Sequence, residues 1–162
     1  MSHLENIVSF AHEGTRISAL VPGSWAVSEV TPRHVRFFAP AHPDHEDHRS
    51  TFSISLGEPE GFAPDEYEDF CDASLARLSE GLPGFALRRV ERFTLSSFVD
   101  IHAVWYHSRA ESGLEFAMLQ ALGLLDRYNV YLINAATLTP LADVYLPAFD
   151  EILRSLRVLP VR

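Results

Sequence analysis

The most apolar stretch of the chain runs from Leu114 to Thr137 and is interrupted only by the polar pair Asp126-Arg127. From Tyr128 to Leu138, Tyr128, Val130, Leu132 and Ala136 fall on one side of a pleated strand, and Tyr131, Ile133 and Ala135 on the other. Both sides are apolar, which predicts a central strand with both faces of its sheet covered. Leu114–Leu125 is rich in Leu, Ala, Met, Glu and Gln, so by itself it reads as either a helix or a strand.

In the N-terminal half the apolar pattern is shorter and alternating. Ile7–Phe10 and Arg16–Val21 predict a hairpin turning at His12-Glu13-Gly14. Val27–Val30 and His34–Ala39 predict two short strands around Thr31-Pro32-Arg33, and a polar loop follows from Pro40 to Ser50. Thr51–Leu56 places Phe52, Ile54 and Leu56 on one face, the mark of a half-buried strand. The period then changes to that of a helix, from about Pro64 to Glu80. Tyr67, Phe70, Cys71, Ser74, Leu75 and Leu78 form one stripe, acids lie in the first turn, and Gly81 and Pro83-Gly84 end it. Phe85–Phe93 and Phe98–His107 predict two strands before the central pair. A last helix covers about Ala142–Leu156 with Phe149, Ile152, Leu153 and Leu156 inward, and Pro147 belongs in its first turn or bends it. Strands joined by short turns are antiparallel, so the expected class is α+β: a mostly antiparallel sheet flanked by helices in one domain, residues 1–162.

The net charge of -9 argues against general attraction to nucleic acid or anionic membrane surfaces. All 13 basic residues are arginine, which removes Schiff-base lysine chemistry and the P-loop lysine. Cys71 is the only cysteine, so no intrachain disulfide or CxxC pair exists. The start, MSHLENIVSF, has no basic residue ahead of a long apolar run, and no apolar stretch reaches the ~20 residues of a membrane span. A cytoplasmic protein without membrane insertion is the expectation.

Candidate chemistry is sparse. His42, His45, Asp47 and His48 lie in the loop His42-Pro43-Asp44-His45-Glu46-Asp47-His48, where imidazoles and carboxylates at these intervals suit zinc, nickel or iron. The plain alternative, a solvated loop, is the expectation, so no metal is assigned. The nucleophile elbow G-x-S-x-G and the dinucleotide fingerprint G-x-G-x-x-G are both absent, and no cofactor is expected. Cys71 sits in the apolar stripe of the first helix and reads as a structural thiol. Arg88, Arg89 and Arg92 form a small basic patch expected to pair with nearby acids rather than with phosphate. Trp105, Tyr106, Tyr128 and Tyr131 are aromatic candidates for a pocket or interface, with core packing as the plain alternative.

Four pieces of the chain resemble the PsbP-like superfamily and, within it, the DcrB-like and LpqN-like bacterial domains. They are Arg16–Trp25 with its Pro22-Gly23 turn, Asp65–Leu82 running into Pro83-Gly84-Phe85, the central pair Leu114–Thr137, and the ending Phe149–Val158. The resemblance implies a central antiparallel sheet between helices, with Leu114–Leu125 as a strand. It also implies binding or assembly rather than catalysis. Its members include photosystem extrinsic subunits, lipid-binding lipoproteins and chaperone-like adaptors for type VI secretion effectors. The expected function is therefore a non-enzymatic cytoplasmic adaptor that holds an apolar segment of another protein, with a homodimer possible through a sheet face or edge. The alternative is a carrier of a small apolar ligand such as a lipid. A metal-dependent enzyme built on residues 42–48 is more remote.

Overall fold

The computed structural model describes residues 6–57, 66–97, 99–126 and 129–160. The chain opens with β1 (Ile7–His12) and β2 (Ile17–Pro22), the expected hairpin. Gly14 in its turn is needed for space, because a Cβ there would meet the Pro32 carbonyl oxygen at 1.6 Å. Next come β3 (Ala26–Thr31), β4 (His34–Phe38) and β5 (Thr51–Gly57), then helix α1 (Tyr67–Gly81). β6 (Ala86–Thr94), β7 (Asp100–Arg109), β8 (Glu115–Asp126) and β9 (Asn129–Leu138) follow as a meander. A short 3-10 turn, Thr139–Leu141, leads into helix α2 (Ala142–Ser155), and β10 (Arg157–Val158) ends the described fold.

Two sheets form. Seven strands run β3-β4-β5-β9-β8-β7-β6, every pair antiparallel, and β1-β2-β10 make a smaller sheet. β9 lies between β5 and β8, as its apolar character requires. Leu114–Leu125, ambiguous by composition, is strand β8: between β7 and β9 its backbone finds partners on both sides, and that outweighs a modest helix propensity.

One face of the large sheet carries the main core. Val35, Phe37, Phe52, Ile54, Ile101, Ala103, Leu119, Ala121, Tyr131, Ile133 and Ala135 are buried there beneath α2 and the small sheet. Phe149, Ile152 and Leu153 of α2 are fully buried; the Phe149 ring lies 6.2 Å from Phe52 and 6.3 Å from Trp25. The Tyr131 hydroxyl donates to the Thr15 carbonyl at 2.7 Å and so ties the hairpin turn to the sheet. Pro147 stands inside α2 rather than in its first turn. Having no N–H, it cannot donate to the carbonyl four residues back.

The opposite face is the principal departure from expectation. Full cover on both sides was expected, but α1 covers only part of this face. Tyr67 and Cys71 pack on Leu122 and Val130 in a second, smaller core, and Leu75 and Leu78 of the expected stripe are only half-buried. The Tyr67 hydroxyl donates to the Leu122 carbonyl at 2.8 Å, and Glu68 pairs with Arg92. Beyond α1 no element among the described residues covers this face, and Leu132, in the middle strand, is 37% exposed. The reason lies in its neighbours. β5 turns Thr51, Ser53 and Ser55 to this side, as its strict alternation requires, so the apolar surface of β8 and β9 gives way to hydroxyls at β5. Pro64, Asp65 and Phe98, placed in a helix or strand by sequence, lie outside the described residues.

Candidate functional site

The uncovered half of the sheet forms a groove of about 410 Å³ between α1 and the strands. Leu122, Val130 and Leu132 make its apolar floor, and Phe70, Ser74 and Arg77 of α1 make one wall. Positions 70, 74 and 77 fall one helical turn apart, which puts them on one side of α1. Cross-strand register sets two rows across the floor. Ser55, Leu132 and Leu122 face one another across β5, β9 and β8. Beside them Ser28, Arg36, Ser53, Asn134 and Gln120 face one another from strand to strand, a lane of hydroxyls, amides and one guanidinium that meets the groove at Gln120. Among the described residues lining the groove, Arg77 is the one ionisable group, and its Nη2 donates to Ser74 Oγ at 3.2 Å. Such a surface can bury apolar side chains while offering hydrogen bonds to an occasional polar one.

Of the aromatic candidates, Tyr106 and Tyr131 are core residues, 3% and 1% exposed. Tyr106 packs against Phe85 with ring centroids 5.4 Å apart. Burial raises both phenols, that of Tyr131 to about 12. Trp105 is also buried, its Nε1–H donating to Glu91 at 3.0 Å, but one edge borders a shallow groove beside α2. Tyr128 lies outside the described residues. The structure thus does not bring these aromatics together in one pocket: Trp105 and Tyr131 point to the α2 side of the sheet, Tyr106 to the other, as period-2 alternation dictates.

The histidine loop does not gather its side chains around one point. His42 and His45 face each other with ring centroids 6.5 Å apart, and the His42 Nδ1 accepts from the Asp44 backbone N–H. His48 turns away onto Phe116, 5.3 Å between centroids, and its buried Nε2 has no hydrogen-bond partner among the described residues. Among the described residues no group of three His, Cys, Asp or Glu side chains has the proximity to hold a metal ion. Cys71 is fully buried, and burial pushes its thiol upward, the opposite of what a nucleophile needs. Of the three arginines, Arg89 pairs with Glu91 and Arg92 with Glu68, whereas Arg88 makes no ion pair among the described residues.

A second polar feature was not legible by motif. His102 on β7, 3% exposed, borders a pocket of about 260 Å³ with Tyr67, Glu68, Arg92, Thr94 and Asp100. Burial first, and then the Arg92 charge, hold its imidazole below the usual value of 6.5, against opposing pulls from Asp72 and Glu68. The unfolded chain therefore binds the proton more readily than the folded one. Stability from this residue is present above about pH 6.5 and falls as pH drops below it. Urea midpoints should decline between pH 7.5 and 5.5, with a smaller decline for His102→Gln. Parallel declines in the two proteins would assign the effect to other groups.

No protein-family model matches the chain, and no curated protein matches it by sequence. Solved structures do. LpqN of Mycobacterium tuberculosis, involved in cell envelope biogenesis, superposes with TM-score 0.69 at 18% identity over 95% of this chain and 91% of that one. The cyanobacterial PsbP protein CyanoP of Synechocystis sp. PCC 6803 gives 0.60 at 16% identity, covering 94% and 92%. The Ran-binding protein Mog1p of Saccharomyces cerevisiae gives 0.59 at 15% identity, covering 95% and 96%. At such identities the likeness is one of fold: the chain has the α+β, PsbP-like fold, as its sequence resemblance implied. No helix among the described residues is long and apolar enough to cross a membrane.

Proposed function

We propose that the protein is a non-catalytic binding module, a cytoplasmic adaptor that holds an apolar segment of a partner protein on the uncovered face of its sheet. The observation that carries this is the exposed Leu132 in the middle of the large sheet, with Leu122 and Val130 beside it and a lane of small polar groups alongside. A partially covered sheet face with an apolar floor is a surface that a partner segment can complete. That a protein of the same fold, Mog1p, binds Ran supports protein binding as a use of this architecture.

Leu132→Asp places a charge on the groove floor in the middle strand, at a cost to folding of about 1–2 kcal/mol, so its far-UV spectrum and thermal midpoint are recorded first to show that the variant is folded. Tagged wild-type protein, incubated with lysate of its source organism, should retain a stoichiometric partner, and the variant should lose it. Retention by both would sink this site. A small apolar ligand is the competing occupant of the groove. Mass spectrometry of an organic extract that finds a stoichiometric lipid in the wild type and none in the variant would replace the adaptor by a carrier.

A further inference from the structure

β6 ends the large sheet, and among the described residues no strand pairs with its outer side. Its register with β7 slips between Leu87, opposite Tyr106, and Arg89, opposite Trp105, so Arg88 is the extra residue of a β-bulge. A bulge breaks the alternation of side chains. Here its result is visible: Arg88 and Arg89, adjacent in sequence, both line one groove of about 400 Å³ between β6 and α2, with Trp105, Leu146 and Pro147. The acids nearby are already engaged. Glu91 takes Arg89 at 2.9 Å and Arg154 at 2.7 Å, and Asp150 takes Arg154 at 3.1 Å. Arg88 is left without an acid among the described residues. On the other face the same edge shows Leu87 and Val90, 48% and 41% exposed.

We infer that the outer edge of β6 receives an extended segment of a protein partner in which acidic and apolar side chains alternate. Such a strand places its carboxylates against Arg88 and Arg89 and its apolar side chains against Leu87 and Val90, the cross-strand pairs that stabilise a sheet. The same arginines disfavour edge pairing between two copies of this chain, since antiparallel pairing about the bulge sets guanidinium against guanidinium. This inference stands apart from the sheet-face site and uses none of its residues.

The test uses two capped nine-residue peptides, matched to the length of β6, one alternating glutamate with valine and the other lysine with valine. Each is titrated into the isotope-labelled full chain and followed by backbone amide shifts. The expected result is shifts confined to β6 and the adjoining groove, and at least tenfold tighter binding of the glutamate peptide, a preference that shrinks with added salt. Arg88→Glu should remove that preference, with Arg88→Gln between the two, and the spectra report whether each variant is folded. Leu132→Asp should leave the binding unchanged. Equal affinity for both peptides, an unchanged preference in Arg88→Glu, shifts located away from β6, or a concentration-dependent dimer through β6 would each overturn the proposal.

Discussion

Replacing Phe149 by alanine should lower the unfolding free energy by about 3–5 kcal/mol. Phe149 is fully buried at the point where three elements meet: its ring packs on Phe52 of β5 and on Trp25, which follows the Pro22-Gly23 turn. Truncation removes the apolar contact and leaves a cavity that rigid strands cannot fill. For a chain of this size a loss of that order moves the thermal midpoint by about 10 °C. Val144, on the outer side of the same helix and 48% exposed, provides the control. Its alanine variant should stay within about 0.5 kcal/mol. Calorimetry of both variants separates core packing from helix propensity, because both substitutions raise propensity and only one opens a cavity. Comparable midpoints for the two would show that α2 is not the lid of the main core.

Tyr131 gives the second large effect, and it separates into two parts. Tyr131→Phe keeps the ring and removes the hydroxyl that donates to the Thr15 carbonyl at 2.7 Å. That carbonyl belongs to a fully buried residue, so its loss of a partner should cost about 1–3 kcal/mol. Tyr131→Ala removes the ring as well, from the centre of the large sheet, and the total should reach about 4 kcal/mol or more. The phenylalanine variant also carries a local signature. Arg16, next to Thr15, holds a left-handed backbone at φ 56, and the Tyr131 hydroxyl also lies 3.3 Å from its carbonyl. Hydrogen exchange in the β1–β2 turn should accelerate in Tyr131→Phe ahead of any change in β8 or β9. Uniform acceleration across both sheets would mean that the hydroxyl contributes global stability rather than holding the hairpin.

These two predictions rest on residues of different legibility. Phe149 was readable as an inward position, because Phe149, Ile152, Leu153 and Leu156 recur at helical spacing and are all buried. Tyr131 was readable as a position on a covered face of the central strand, beside Ile133 and Ala135, and as one of several aromatics for which core packing was the better reading and a pocket the alternative. What makes it structural is a carbonyl 116 residues away in sequence, and no local pattern encodes that partner. The candidate groove shows the same division. The alternation of Thr51–Leu56 already required Thr51, Ser53 and Ser55 to share a face. That the face lies beside Leu132 and Asn134, and so leaves Leu132 uncovered, follows from the pairing of β5 with β9 across a long stretch of intervening chain.

By itself, the sequence determined the elements. Period-2 and period-3.6 patterns, with Pro and Gly as punctuation, located the first hairpin, both helices and the second strand of the central pair, because those signals arise between near neighbours in the chain, whereas Leu114–Leu125 stayed open by pattern and was a strand by resemblance. It also determined the chemistry that is missing, since a chain without lysine and with one cysteine lacks whole sets of catalytic groups. Only the tertiary structure decided which strand lies beside which, how far α1 reaches over its face of the sheet, and that a bulge turns Arg88 and Arg89 to the same side. The physical reason is that each of these depends on backbone pairing between segments distant in sequence. A one-residue change of register exchanges the two faces of a strand, and with them what is buried and what is offered to a partner.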